Sequence, residues 1–186
     1  KLALITSSTS DRVVVVDLGK LVALLEAATP HERERVIPNH TGKPTEFVVA
    51  DLHVGTCPRG ITCAADGKTA YVANMLDDSV TVLDLAKLQN VGRIDLGGAK
   101  EESMRRRGEK LFHSANITFR RQFSCSSCHP DGHIDNVVYD IEDDGLGMGP
   151  IDNRTLRGVA DMAPFKWTGI NPSLKRQCGP RLAVFI

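Results

Sequence analysis

Two cysteines and a histidine form the most specific chemical motif in the sequence. They stand in the pentapeptide Cys125-Ser126-Ser127-Cys128-His129, where two thiols three positions apart are followed at once by an imidazole. This spacing is typical of c-type haem attachment, because such thiols can add across the two vinyl groups of one porphyrin. The adjacent imidazole is then held under the iron as its proximal ligand. We therefore predict one covalent haem c on Cys125 and Cys128, with His129 bound to the iron.

Two other kinds of site also use closely spaced cysteines. A zinc site would need further ligands, for which His133, His113 and Cys178 are the candidates. Zinc sites usually add a second closely spaced ligand pair, whereas His133 follows His129 by only four residues. A redox-active dithiol would need a βαβ context, which the pattern around Cys125 lacks. Both alternatives stay open beside the haem interpretation.

Short segments on both sides of the pentapeptide add to the haem prediction. RGEKLF precedes it at residues 107–112, and NRTLRG at 153–158 and APFKWTG at 163–169 follow it. Over about residues 100–180 these segments resemble the cytochrome c domain of the bacterial dihaem peroxidase and MauG-like superfamily. The resemblance implies a small, mostly α-helical domain around the haem. It also places four side chains near the ring, with plain core packing as their alternative role: Leu111, Phe112, Leu156 and Trp167.

The single CxxCH motif departs from that superfamily, whose peroxidases use two haems on two domains. A distal histidine can stand there in a glycine-containing loop, which here covers residues 143–150 and has no histidine. The second axial ligand is therefore open among a residue beyond the chain and four side chains: Met162, Met148, His133 and His113. We choose Met162 because its segment is expected to pass near the haem, although methionines ordinarily fill cores. A thioether ligand would suit electron transfer, and an open position would suit peroxide chemistry.

The first half of the chain contains an internal repeat. ALITSSTSDRVVVVDLGKL at residues 3–21 aligns without a gap on AYVANMLDDSVTVLDLAKL at 70–88, an offset of 67 residues. Alternating apolar residues flank a polar turn, which predicts a hairpin of two β strands in each copy. The second copy, with PRGI at 58–61 and DGKTAYVAN at 66–74, resembles the YVTN type of β-propeller repeat. This resemblance covers about residues 1–98 and implies propeller blades.

The spacing of the two copies predicts an incomplete propeller. Propeller repeats recur about every 40–45 residues, so we place an insertion at residues 22–49. A ring usually needs about four or more blades, which residues 1–98 cannot supply. We therefore expect either sequence outside this chain, since both termini lie within apolar runs, or additional chains that complete the propeller.

A different domain is predicted from residue 99 to residue 186. Helical spacing marks residues 103–112, and glycines and short helix-like pieces such as 155–160 follow. The predicted fold class is thus α+β multidomain. It consists of partial β-propeller blades at 1–98 followed by a small, mostly α-helical c-type cytochrome domain at 99–186.

Composition narrows the range of partners and compartments. The 186 residues include 23 basic and 23 acidic side chains, so no net positive charge attracts nucleic acid or anionic lipid. No apolar run approaches the length of a transmembrane helix. Because c-type cytochromes mature in oxidising compartments, we expect a periplasmic or extracellular protein. Cys57 and Cys63 are then either a disulfide or two buried thiols, which leaves Cys178 without a counterpart.

An acidic stretch follows the pentapeptide. Residues 131–152 contain seven carboxylates and no lysine or arginine. The stretch is interpretable as a solvated loop or as a docking surface for a basic redox partner. A third interpretation is a calcium loop, because Asp140, Glu142 and Asp144 imitate the start of an EF-hand. Its twelfth position holds Ile151 in place of glutamate, so calcium is the weaker cofactor prediction beside haem.

Together these features predict an exported c-type cytochrome that passes single electrons between its haem and a redox partner protein. The propeller region would serve as the docking surface. One alternative is a peroxidase-like haem oxidoreductase, which requires an open iron site and a second electron source. The other is a structural or interaction module of a larger cytochrome complex. Enzymatic activity is left undecided, electron transfer is preferred to a stand-alone peroxidase, and no catalytic residue is assigned.

Overall fold

The structure is a computed structural model, and it describes five stretches of the chain: 1–98, 101–118, 121–139, 150–166 and 169–178. The chain divides into two units, Lys1–Ser103 and Met104–Ile186. The first is built on antiparallel β-sheets, and the second on short elements joined by turns. Among the residues described, no helix is long and apolar enough to cross a membrane.

Seven strands form two antiparallel sheets in the first unit. The three-stranded sheet contains β1, β2 and β3, in that order: Leu2–Ser7, Arg12–Asp17 and Val48–His53. The four-stranded sheet contains β4 to β7 in sequence order: Pro58–Cys63, Thr69–Asn74, Ser79–Asp84 and Gln89–Asp95. The predicted insertion between β2 and β3 forms a helix α1, a π-helical turn and a 3-10 turn: Leu18–Ala27, Glu32–Val36 and Lys43–Glu46.

Alternating side chains of the strands build the core of this unit. In β5 and β6 every second residue is buried, as expected for strands with one face against a core. Val13 from β2 joins Ala70, Val72 and Leu83 in a cluster whose four members are 0% exposed. The two sheets therefore share one apolar core, and the hairpins predicted from the period-two pattern are present as β1–β2 and β5–β6.

The two repeat copies have matching backbone features at matching positions. Asp11 and Asp78 both adopt the left-handed conformation in their turns, with φ of 58° and 48°. Aspartate tolerates this region better than most residues because its short side chain can hydrogen-bond locally. Asp17 and Asp84 close the two hairpins, each accepting the backbone N–H groups two and three residues further on. Beyond these aspartates the copies diverge, since the first continues into α1 and the second into a turn before β7.

In its described part, the second unit contains only short elements. Its three α-helices are α2, α3 and α4: Met104–His113, Cys125–Cys128 and Leu174–Gln177. Two 3-10 turns and a two-stranded antiparallel sheet of β8 and β9 complete it: Pro130–Gly132, Val159–Asp161, Val138–Tyr139 and Ile151–Asp152. The helix expected at residues 103–112 is thus present one residue later, as α2.

The predicted fold class is wrong. The described residues are mostly antiparallel β-sheet with few, short helices, so no mostly α-helical cytochrome c domain is evident, and the described strands close no propeller ring. The sequence between Pro130 and Pro172 is rich in prolines and glycines, and both residue types disfavour the interior of a helix. The buried residues described in this unit are also small or polar, so they form no apolar stripe along a helix: His113, Ala115, Ser124 and Asn171.

Candidate haem attachment site

Serine side chains shape the helical turn that carries the two cysteines. Ser124 is the N-cap of α3, and it forms a reciprocal capping box with Ser127. Its backbone N–H donates to the Ser127 hydroxyl over 3.0 Å, which satisfies a donor that the helix itself leaves unpaired. Because residues three apart in a helix share a face, this turn brings Cys125 and Cys128 to the same side.

His129 directly follows the helix, and its ring is oriented by the backbone. Its Nδ1 atom lies 3.1 Å from the carbonyl oxygen of His133. Since a carbonyl only accepts, Nδ1 is the donor in this hydrogen bond, and in the neutral ring Nε2 then carries the lone pair. A histidine that ligates a metal through Nε2 typically donates its other ring N–H in this way. The donor set therefore fits a haem held by two thiols and one imidazole.

The cysteines of this site are thiols in the structure, as are the other three in the chain. Burial raises the pKa of the Cys125 thiol, and repulsion from charge on Cys178 and Cys128 adds to the effect. Burial likewise raises the pKa of the Cys178 thiol. These groups therefore stay protonated at neutral pH. Cys57 is a buried thiol and Cys63 an exposed one, and the structure shows no disulfide between them.

A polar network connects Cys128 to the β8–β9 hairpin. The Asn153 amide donates to the Cys128 carbonyl oxygen and, over 3.3 Å, to Asp135 Oδ1. The Tyr139 hydroxyl donates to the other Asp135 oxygen. This hydrogen bond is the main cause that lowers the pKa of Asp135, and it raises the pKa of Tyr139. Asp135 is therefore a carboxylate and Tyr139 a neutral phenol at neutral pH.

The axial-ligand candidates occupy different environments. Met162 follows the second 3-10 turn, and its side chain is 66% exposed. His113 is buried, with Nδ1 2.9 Å from the Glu109 carbonyl oxygen and its ring edge-on to Phe112. His133 is exposed and contributes its carbonyl to His129. Met148, Trp167 and the calcium candidates Asp140, Glu142 and Asp144 lie outside the described residues.

The described residues contain no cluster of three or more histidine, cysteine, aspartate or glutamate side chains arranged to hold a bare metal ion. Sequence reasoning singled out Cys125, Cys128 and His129, but it assigned no role to Asp135, Tyr139 or Asn153. The one signal pointing to Asn153 was its place in the NRTLRG segment, which was used only for the family resemblance.

No family model matches the chain. The chain is similar to hydrazine synthase subunit beta of Kuenenia stuttgartiensis, with 29% identity over 75 residues that cover 40% of this chain and 19% of that protein. A solved structure of Kuenenia stuttgartiensis hydrazine synthase is similar with a TM-score of 0.35 and 24% identity, covering 50% of this chain and 20% of that one. The chain thus spans about a fifth of these relatives.

Proposed function

We propose that this protein carries one covalently attached haem c and transfers single electrons to or from a redox partner. The observation that carries the proposal is the orientation of His129, whose Nδ1 donates to the His133 carbonyl directly after a helical turn with two thiols. This arrangement leaves Nε2 as the atom for iron. A CxxCH sequence alone would not require this orientation of the His129 ring.

Each residue of the site has a defined task in this proposal. Cys125 and Cys128 would anchor the porphyrin through thioether bonds, and His129 would ligate the iron through Nε2. The bound haem would supply reversible one-electron chemistry. The raised pKa of Cys125 keeps its sulfur as a neutral thiol, with the hydrogen that addition to a vinyl group transfers to carbon.

The proposal extends to location and partners. Covalent haem attachment through cysteines points to an oxidising compartment, so we infer export to the periplasm or the extracellular space. The sequence relative is a subunit of an enzyme, which supports partner chains for this protein as well. We assign the docking of such a partner to the β-sheet unit Lys1–Ser103.

A peroxidase-like activity is the second candidate. It requires an iron position that no side chain occupies, and the side chain predicted to occupy that position is that of Met162. Replacing Met162 therefore separates the two functions. If Met162 is the axial ligand, M162A converts a low-spin ferric spectrum to high spin. The matched control is M104A, because Met104 is 85% exposed and lies at the start of α2.

The test of the proposed function is a redox titration of the holoprotein, followed by rapid mixing with hydrogen peroxide. Electron transfer predicts a reversible one-electron wave, a low-spin ferric spectrum and no rapid reaction with peroxide. A high-spin ferric form that reacts with peroxide would support the second candidate instead. A protein without any haem absorbance after expression with c-type maturation would contradict both functions.

A further inference from the structure

We propose that residues 153–157, here called the latch, position His129 for iron by holding the loop 128–133 in shape. The inference rests on the proposed haem function, and it assigns these residues a positioning role. They act through backbone carbonyls on the loop, and the last carbonyl of that loop, on His133, holds the His129 ring.

The latch contacts the start of the loop through Asn153. Its amide nitrogen donates to the carbonyl oxygen of Cys128, which belongs to the peptide bond that joins Cys128 to His129. The same nitrogen donates to Asp135 over 3.3 Å. Asp135 is itself fixed by the Val137 backbone N–H over 3.0 Å and by the Tyr139 hydroxyl. Asp135 therefore helps to hold the Asn153 amide against the Cys128 carbonyl of the loop.

The other end of the latch holds the turn beyond His129. The Leu156 backbone N–H donates to the Gly132 carbonyl over 2.9 Å, and the Thr155 hydroxyl donates to the same oxygen over 3.3 Å. The Arg157 guanidinium donates through Nε and one terminal nitrogen to the Asp131 carbonyl, over 3.4 and 3.3 Å. Carbonyls on both sides of His129 are thus tied to one short segment.

This turn needs outside support because its backbone is unusual. Asp131 and Gly132 are consecutive left-handed residues, with φ of 52° and 72°. Aspartate tolerates this region better than most residues but still less well than glycine, so hydrogen bonds from the surroundings help to keep Asp131 there. The turn reverses the chain after Pro130 and presents the His133 carbonyl to His129 Nδ1. The latch therefore stabilises the conformation that orients the histidine.

The chemical consequence follows from the hydrogen bond on Nδ1. Donation to a carbonyl fixes the tautomer and the ring orientation of a ligating histidine and raises its basicity, and loss of such outer partners typically weakens metal binding about 10–100-fold. A more basic ligand favours ferric over ferrous iron. Loosening the latch is therefore expected to raise the reduction potential and to weaken the bond from His129 to iron.

The first test uses the haem-free full chain, so that it does not depend on haem. Nitrogen-15 NMR of the histidine rings reports which nitrogen carries the proton. In the unsubstituted chain we expect His129 to be protonated on Nδ1. In N153A and R157Q we expect a shift towards protonation on Nε2. R176Q is the matched control, because it removes the same charge from an exposed arginine of the same unit and should leave the tautomer unchanged.

The second test measures the reduction potential of the loaded protein. R157Q should raise the potential, R157K should restore part of the difference because it keeps a donor near the Asp131 carbonyl, and R176Q should match the unsubstituted protein. An unchanged His129 tautomer in both N153A and R157Q would overturn the latch, even if haem is bound. Should N153A fail to fold, R157Q against R157K decides. A chain that takes up no haem but shows the tautomer shift would overturn the proposed function and leave the positioning role standing.

Discussion

The imidazole of His129 is oriented by the backbone carbonyl of His133, four residues further along the chain. The sequence predicts His129 as the proximal ligand and leaves His133 as one of several candidates for a second ligand. In the structure His133 contributes its backbone oxygen to His129, while its own ring is exposed. The two histidines therefore have unequal roles, which a substitution can separate.

At this scale, H129A and H133A are expected to differ. H129A removes the imidazole that would ligate iron, so the holoprotein should lose its native spectrum while the haem stays attached through Cys125 and Cys128. H133A keeps the backbone carbonyl and should leave the spectrum unchanged. Absorption spectroscopy of both variants measures this. A loss of the native spectrum in H133A would show that its side chain is a ligand and would contradict this assignment.

The cysteines give a second expectation at the residue scale. Removing both thiols in C125A/C128A should abolish covalent attachment, because no thioether bond can form. C63A is the matched control, since Cys63 is an exposed thiol in the other unit. Haem staining of a denaturing gel reports the covalent fraction. Staining of the double variant at the level of C63A would contradict the attachment site.

At the scale of elements, two aspartates close the two hairpins in the same way. The carboxylates of Asp17 and Asp84 each accept hydrogen bonds from the backbone that follows. Asp17 caps α1, and hydrogen bonds from the backbone N–H groups of Lys20 and Gly19 hold its pKa below the ordinary 3.8. A carboxyl whose pKa is lowered by folding stabilises the fold above its unfolded pKa, and that contribution disappears as the pH falls through the folded value. Through Asp17, part of the stability of the first unit is therefore expected to be lost at acidic pH.

D17A is expected to lower the urea midpoint of unfolding near neutral pH. The difference from the unsubstituted protein should shrink as the pH falls below about 4, because the unfolded carboxyl binds a proton there before the native one does, and it should be lost once the native carboxyl is protonated as well. E26A is the control, since Glu26 is an exposed acidic residue of the same helix. A D17A difference of equal size at about pH 6 and at about pH 3 would contradict the role of the charged cap.

The shared core of the two sheets makes a prediction about packing. Leu83 of β6 is 0% exposed and belongs to the cluster with Val13 and Val72. L83A should lower the free energy of unfolding by about 2–5 kcal/mol, because it leaves a cavity in the core. V91A, at a valine that is 51% exposed in β7, should change it by less than about 0.5 kcal/mol. Urea unfolding measures both, and similar values would contradict a core centred on Leu83.

The elements also show what the sequence could and could not predict. The hairpins were predictable from apolar residues on both sides of a polar turn, although the buried face of β6 is formed by Ser79, Thr81 and Leu83 and not by its valines. The helix α2 was predictable from its helical spacing. The helical haem domain was expected from short matching segments, which describe local chemistry and carry no information about helix length. The latch was missed because Asn153 and Arg157 donate to backbone carbonyls, and such contacts leave no pattern of residue types.

At the scale of the whole molecule, the chain has no net charge, but its two units differ in their buried residues. The unit Lys1–Ser103 has a shared apolar core of valines and leucines, whereas the described buried residues of Met104–Ile186 are few and small or polar. The described part of this unit therefore gains little free energy from burial alone. If the unit takes up a haem, the ring would add a large apolar surface to that part.

The proposed function depends above all on the covalent attachment of one haem to this chain. The most direct test is to express the full chain together with a c-type haem maturation system, extract it with acidified acetone, and record the reduced alkaline pyridine spectrum of the protein pellet. The account predicts one haem per chain that stays with the polypeptide and shows the band position of two thioether bonds. Haem that is extracted into the solvent, or a pellet without haem, would contradict it.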